Sequence, residues 1–239
     1  MKIALIGYGK MGKEIEQIAL SRGHEVVLKI SVDNLNDFTP DNLKKADVTI
    51  EFTAPDAALK NMYTCFDAGI PVVVGTTGWN KHLDEVTNYC NTKNATLLYA
   101  SNFSVGVNLF FALNKKLAEL MAPYNQYNVT MEEIHHTHKL DAPSGTAISL
   151  ANDILAVHPT KKQWSLEKND AENLFINAKR IDPVPGTHSI KYSSDIDDIE
   201  IIHTAHNRKG FATGAVIAAE WVAGKKGIYT MNDVLNISK

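Results

Sequence analysis

The chain is 239 residues long, 44% hydrophobic and 21% charged, and its 24 Lys and Arg against 27 Asp and Glu leave a formal net charge of -3. That length allows one sizeable core or two modest ones, and the slightly acidic balance argues against a nucleic-acid partner or a polybasic membrane surface. The opening apolar run is too short for a signal peptide and no later run has membrane-span length, so a cytoplasmic protein is expected, with Cys65 and Cys90 as reduced thiols inside helical patterns and a disulfide between them as the alternative.

Residues 2–6 form a strand-length apolar run, and Gly7-Tyr8-Gly9-Lys10-Met11-Gly12 follows directly. Met11, Ile15, Ile18 and Ala19 then recur on one helical face, so the glycines occupy a strand-to-helix turn, the context in which G-x-G-x-x-G points to a dinucleotide. Gly7 would make the tight turn, Gly9 would let backbone approach a pyrophosphate, and Gly12 would allow close helix packing. A second strand, 25–31, ends at Ser31, where such folds usually offer an acid to the adenosine ribose; Asp33 stands two residues beyond. Lys10 is either a partner for a ribose 2′-phosphate or an ordinary exposed lysine.

After a short polar connection, 34–45, a strand over 47–53 alternates Val48, Ile50 and Phe52. Pro55 opens a helix through Ala68 with Ala58, Met62 and Cys65 on one face, and a fourth strand, 70–74, runs into Gly75-Thr76-Thr77-Gly78, by itself only a turn. A helix over 80–92 and a strand over 96–100 complete a doubly wound pattern. The next helix carries Phe110, Leu113, Leu117 and Leu120 at helical spacing, and this stripe is expected in the core.

Chemistry concentrates in residues 132–147. A strand over 128–136 passes into a polar loop, and a helix begins at Ser144, since Pro143 ends the preceding segment and Ser144 can cap the next turn. His135, His136, His138 and Lys139 therefore share one loop with a helix start whose Gly145 and Thr146 amides point outward. These groups suit an anion that must also receive a proton. Solvated histidines are the bland alternative. Zinc on His135, His136 and His138 is the sharper one, opposed because adjacent strand residues face opposite ways and no fourth ligand is spaced nearby.

Beyond it, 147–157 reads as an amphipathic helix through Ile148, Ala151, Ile154 and Leu155, and 159–179 as loosely patterned surface structure. Strands over 185–192 and 199–205, joined by the polar 193–198, suggest an open mixed sheet covered by helices on one side. A small-residue helix, 215–223, comes next and should pack on the nucleotide domain.

From Glu133 to Thr146 the chain matches, without a gap, Glu-x-His-His-x-x-Lys-x-Asp-x-Pro-Ser-Gly-Thr, and so resembles the dihydrodipicolinate reductase (4-hydroxy-tetrahydrodipicolinate reductase) family of bacterial lysine biosynthesis. Asn102-Phe103-Ser104-Val105-Gly106, Arg208 with Phe211-Ala212-Thr213-Gly214-Ala215, and the 227–235 tail extend the likeness; 34–45 and 159–179 are poorly covered. The resemblance implies an α/β fold: a Rossmann-type doubly wound parallel sheet domain, 1–103 with 208–239, and an α+β substrate and oligomerisation domain, 104–207, joined by chain crossings near Phe103 and Arg208. It implies reduction of a cyclic unsaturated dicarboxylate to tetrahydrodipicolinate by NADPH or NADH, and a homotetramer. His135 and Lys139 would be catalytic, and His136, Ser144, Gly145 and Thr146 would bind substrate. Gly7, Gly9, Lys10, Met11, Gly12, Ser31, Gly75, Thr76, Thr77, Ala100, Ser101, Asn102, Phe103 and Arg208 would bind the cofactor. The family commonly has Asp or Glu in place of Ser31, and often a basic residue at Lys10. An amino-acid dehydrogenase, a non-catalytic dinucleotide sensor and a metal hydrolase are the rival readings; the ungapped match opposes the first, His135 and Lys139 together the second, and only the third requires bound zinc.

Overall fold

The computed structural model describes residues 1–207 and 209–237. In chain order the elements are β1 (Lys2–Ile6), α1 (Lys10–Ser21), β2 (Glu25–Ile30), α2 (Pro40–Leu43), β3 (Val48–Glu51), α3 (Pro55–Ala68), β4 (Val72–Val74), α4 (Leu83–Thr92), β5 (Thr96–Tyr99) and α5 (Val105–Met121). Then come β6 (Asn128–His135), α6 (Gly145–Leu155), β7 (Gln163–Ser165), β8 (Asn173–Arg180), β9 (Gly186–Ser193), β10 (Asp198–Ala205), α7 (Lys209–Val222), β11 (Gly227–Tyr229) and α8 (Met231–Val234). Two compact units result: Met1–Asn108 together with the chain from Lys209 on, and the stretch that begins at Leu109. The division falls inside α5.

In the first unit six strands lie in the order β11-β5-β4-β3-β1-β2, every neighbour parallel. Parallel sheets are covered on both faces, so their strands read as apolar runs. One face packs on Ala58, Met62, Cys65 and Phe66 of α3 and on Val86 and Cys90 of α4. The other packs on Ile15 and Ala19 of α1 and on Ala215, Val216 and Ala219 of α7. The apolar alternation of β3 therefore marks no solvent face: Thr49 and Glu51, flanking Ile50, are buried too. Both cysteines are free and buried, and desolvation pushes Cys65 up to about 12 and Cys90 to about 11, which keeps them inert. Pro55 opens α3 and left-handed Gly69 closes it, the usual proline-in, glycine-out signals.

The second unit is a five-stranded mixed sheet in the order β10-β9-β6-β8-β7. β6 lies at its centre, antiparallel to β9 and parallel to β8. The expectation of surface structure over 159–179 fails here, because β7 and most of β8 come from that stretch. Leu174 and Ile176 of β8 are fully buried, but Asn173, Asn177 and Lys179 around them dilute the apolar signal. The α5 stripe is half right: Phe110 is buried and Leu117 packs against the core, but the other two members do not. Leu113 and Leu120 are 52% and 57% exposed, and the ridge that packs runs through Phe110, Asn114, Ala118 and Met121. A buried asparagine hid that ridge; its Nδ2 donates to the Leu150 carbonyl at 3.0 Å and ties α5 to α6. Helix residues Leu150, Ala151 and Ile154 close one face over Val129, Met131, Leu174, Ile190 and Tyr192.

Candidate functional site

At the β1–α1 turn the backbone sets the geometry. Gly7 has φ +93°, its amide and that of Tyr8 donate to the Ile30 carbonyl at 2.9 and 2.8 Å, and a Cβ at residue 7 would lie 1.9 Å from the Phe52 carbonyl oxygen. A Cβ at Gly12 would lie 2.5 Å from the Gly7 carbonyl oxygen, whereas one at Gly9 would meet nothing within 4 Å. Two glycines are thus required by the chain's own packing, and Gly9 leaves open ground before α1, whose first turn has no side-chain cap. Free amides over open backbone fit a pyrophosphate. Lys10 is exposed and Met11 half-buried. At the end of β2 the Ser31 amide donates to Asn34 Oδ1 at 2.8 Å, and its hydroxyl lies 3.4 Å from Asp33 Oδ2.

The Gly75-Thr76-Thr77 turn is pinned from below. Thr76 is buried, its Oγ1 accepts the Thr53 amide at 2.7 Å and its carbonyl accepts Trp79 Nε1 at 2.8 Å; Thr77 is exposed. Under Thr53 lies Glu51, which accepts from the Thr53 hydroxyl and from Asn61 Nδ2, and burial raises its carboxyl above the usual range. Ala100 is half-buried and Ser101 exposed. Asn102 Oδ1 accepts the Ser104 amide at 2.9 Å and Ser104 Oγ the Val107 amide at 3.4 Å, so the pair shapes the entry to α5. Phe103 is buried, its carbonyl packed so closely that a Cβ at Gly214 would stand 1.7 Å from it. Arg208 lies outside the described residues.

In the second unit, period-two alternation along β6 turns Val129, Met131, Glu133 and His135 inward. A carboxylate in that row is costly unless it is paired and hydrogen-bonded. Glu133 has both: it accepts the Ser144 amide at 3.0 and 3.2 Å and Arg180 Nη2 at 3.1 Å. His135 Nδ1 and His188 Nε2 flank it at 3.6 and 3.7 Å, and the two imidazoles meet edge to face with centroids 5.0 Å apart. Residue 186 is glycine, and even a Cβ there would press to 3.2 Å from His135 Nε2. Burial lowers His135 from its ordinary value; Glu133 opposes the shift, while the Lys139 and Arg180 cations add to it. His188 falls to about 4, chiefly by desolvation, and is neutral.

The loop after β6 is stitched to this pair. Arg180 Nε donates to the Lys139 carbonyl at 3.2 Å and Nη2 to that of Asp141 at 2.5 Å, while the Lys139 ammonium lies 2.8 Å from both Asp141 carboxylate oxygens. Ser144 is 2% exposed, its Oγ accepting the Ala147 amide at 3.1 Å and lying 3.2 Å from His188 Nε2. Its side chain is therefore engaged within the protein, behind the helix start. The amides of Gly145 and Thr146 come next as the first two of α6 and have no intrahelical acceptor. Of the three loop histidines only His135 enters the buried cluster; His136 is half-buried, with its ring 6.1 Å from that of the exposed His138.

Among the described residues the one group able to gather around a metal is Glu133, His135 and His188, not the three loop histidines. Arg180 and the Ser144 amide already occupy the Glu133 oxygens, and a guanidinium beside them opposes a second cation. Glu133, Arg180 and His188 were missed as site residues. For Glu133 and His188 the signal was present: each is polar on the apolar side of an alternating strand, Glu133 with Val129 and Met131, His188 with Ile190 and Tyr192. Arg180 lies at the end of β8, so nothing could place it before that strand was recognised.

A six-stranded parallel sheet with a glycine turn at β1–α1, joined in one chain to a mixed-sheet unit whose centre holds a carboxylate and two imidazoles, defines a two-unit nicotinamide-dependent oxidoreductase. Family models described as "Dihydrodipicolinate reductase, N-terminus" and "Dihydrodipicolinate reductase, C-terminus" match residues 1–103 and 106–235. The chain belongs to the dihydrodipicolinate reductase family, and it is an NAD(P)H-dependent oxidoreductase. It is 50% identical to the 4-hydroxy-tetrahydrodipicolinate reductase of Christiangramia forsetii over 99% of this chain and 98% of the relative. It is 32% identical to the protein of that name from Neisseria meningitidis serogroup B, over 93% and 84%. Among solved structures, dipicolinate-bound dihydrodipicolinate reductase from Paenisporosarcina sp. TG-14 superposes with a TM-score of 0.78 at 24% identity, covering 96% of this chain and 97% of that one. An amine dehydrogenase from Mycobacterium smegmatis gives 0.62 at 12% identity over 100% and 96%, a likeness of fold alone. Among the described residues no helix is long and apolar enough to cross a membrane.

Proposed function

We propose that this chain reduces 4-hydroxy-tetrahydrodipicolinate, or its dehydrated form dihydrodipicolinate, to tetrahydrodipicolinate with NADPH or NADH, in the cytoplasm, on the diaminopimelate route to lysine. The first unit is the dinucleotide domain, the second the substrate domain. The family match along both units supports the assignment, and the observation that carries it is the donor-rich start of α6 beside a buried His135 and the Lys139 loop. A dicarboxylate is a dianion, and helix amides with a nearby ammonium are what it needs.

The nicotinamide, when bound, supplies a hydride to a ring carbon of a conjugated imine. The product of that transfer is an electron-rich enamine, and His135 protonates it through Nε2. In the free protein His135 is held below its ordinary value by burial and by two nearby cations. An arriving dianion offsets both cations and raises it again, so substrate binding itself loads the proton. Lys139 is the second candidate donor and balances the substrate charge. His136 adds a contact, Gly145 and Thr146 cradle a carboxylate, and Ser144 supports them from behind. On the nucleotide side the roles fall to Gly7, Gly9, Met11, Gly12, Gly75, Thr76, Thr77, the 100–103 segment and Arg208.

Ser31 presents no carboxylate to a ribose 2′-phosphate and exposed Lys10 can attract one, so NADPH is accepted at least as well as NADH. The face of the mixed sheet opposite the helices, with Thr130, Glu132, Asn177 and Lys191, pairs with other copies in a homotetramer. The deciding experiment measures NADH and NADPH oxidation separately with the fresh condensation product of pyruvate and aspartate semialdehyde. Oxidation of neither would end this reading. Light scattering tests the tetramer, and a monomer would remove that part alone.

A further inference from the structure

The roles proposed so far leave Glu133 unassigned. It is fully buried on the apolar side of the central strand of its sheet, where a hydrophobic residue would satisfy folding more cheaply. It also contacts the Ser144 amide, Arg180, His135 and His188. Its oxygens hold the first turn of α6 through the Ser144 amide, and the end of β8 through Arg180. Arg180 in turn fastens the Lys139 and Asp141 carbonyls. The Nδ1 of His135 is buried, has no hydrogen-bond partner, and lies 3.6 Å from Glu133 Oε2.

We propose that Glu133 is the positioning residue of this site: one carboxylate fixes the orientation of His135, the anion-binding start of α6 and, through Arg180, the loop that carries Lys139. This rests on the reading of His135 as the proton donor. The reason for a carboxylate is chemical. To deliver a proton from Nε2, an imidazolium must also keep Nδ1–H, and that buried N–H needs an acceptor when the ring is charged. Glu133 Oε2 is the acceptor within reach, and closing a 3.6 Å gap to a charge-assisted hydrogen bond takes only a small ring movement. His188 is the uncharged second support. Buried and neutral, its Nε2 lies 3.2 Å from the Ser144 hydroxyl and 3.7 Å from the same Glu133 Oε2, so that the cations facing Glu133 are Arg180 and, when charged, His135.

The charged and titratable groups around His135 come from four places: Glu133 on its own strand, Arg180 on β8, His188 on β9, and Lys139 with Asp141 in the loop. Glu133 raises the His135 pKa and Arg180 lowers it, so the two partners give opposite signs on removal. Glu133→Gln keeps the shape and removes the charge; His135, observed by NMR of ring-labelled histidine in the free enzyme, should titrate at lower pH. Arg180→Met should move the same titration to higher pH. With substrate, kcat of Glu133→Gln should fall by roughly 10- to 100-fold while the KM for the nicotinamide cofactor holds, and the alkaline limb of the kcat profile should move to lower pH. Affinity for pyridine-2,6-dicarboxylate, measured by calorimetry, should fall in both variants as the α6 start and the loop lose their anchor. A His135 titration unchanged in both variants, with unchanged dicarboxylate affinity, would overturn the proposal, and if Glu133→Gln does not fold, Arg180→Met decides alone by the same two readouts. The titration and calorimetry need no turnover, so they stand even if His135→Gln proves fully active and the donor reading falls.

Discussion

The two units build their sites by opposite means. At the β1–α1 turn the decisive atoms are missing ones: residues 7 and 12 lack a Cβ because backbone oxygens already fill that space. In the mixed-sheet unit the decisive atoms are present, ionisable and largely buried, with Arg180, His135 and His188 lying 3.1 to 3.7 Å from Glu133. A site made of backbone is indifferent to pH and intolerant of added volume. A site made of buried ionisable groups tolerates shape and responds to charge.

That contrast breaks most sharply at Gly7. Alanine there meets a positive φ and a carbonyl at 1.9 Å, so Gly7→Ala should cost more than about 4 kcal/mol in urea unfolding or give no folded protein. Gly9→Ala should fold normally yet weaken dinucleotide binding, and equal unfolding midpoints for the two variants would refute the backbone account. Next in size, His135→Gln should lower kcat by roughly 10²- to 10⁴-fold with cofactor affinity nearly constant. Lys139→Ala should lower kcat and raise the substrate KM. If the two share proton delivery, the double variant falls well short of the product of the single effects, and a wild-type kcat for His135→Gln would take it out of the chemistry.

The charged site also predicts a pH dependence of stability. His188 titrates at about 4 when folded against an ordinary 6.5, so the unfolded chain binds the extra proton first as pH falls. Its contribution is complete above about pH 6.5 and is lost on descent toward pH 4, amounting to about 3 kcal/mol. His188→Asn should flatten urea-unfolding stability across that window, and parallel curves for both proteins would show that His188 is not responsible. Thr146→Val deletes a hydroxyl at the α6 start. The loss of a hydrogen bond to a charged group, about 1.5–3 kcal/mol, should weaken substrate roughly tenfold or more and leave cofactor affinity intact; a fall in cofactor affinity instead would place Thr146 elsewhere. The smallest effect is at exposed Lys10, where Lys10→Glu should weaken NADPH several-fold more than NADH, and equal losses would mean that Lys10 does not meet the 2′-phosphate.

Local signals were legible wherever the chain punctuates itself. The glycine turn, Pro55 at the start of α3, Ser144 as the cap of α6 and the β9–β10 hairpin all arise from residue types at fixed offsets. Sequence patterns misled where burial included polar residues. β8 escaped because its asparagines and basic residues interrupt the apolar alternation, and the α5 ridge was rotated because Asn114 carries part of it. The tail strand β11 is three residues long and gains its meaning only by pairing with β5.

By itself the sequence determined the doubly wound unit, the open mixed sheet and the His135 to Thr146 loop, because periodicity and turn chemistry act within a few residues. Only the tertiary structure decided which loop histidine is buried, turned the Ser144 side chain inward, and brought Arg180 and His188 to Glu133 from 47 residues away and from the neighbouring strand. Those partners lie on three adjacent strands, and strand order and register are set by burying the whole sheet under α5 and α6, a sum over many side chains that no local stretch encodes.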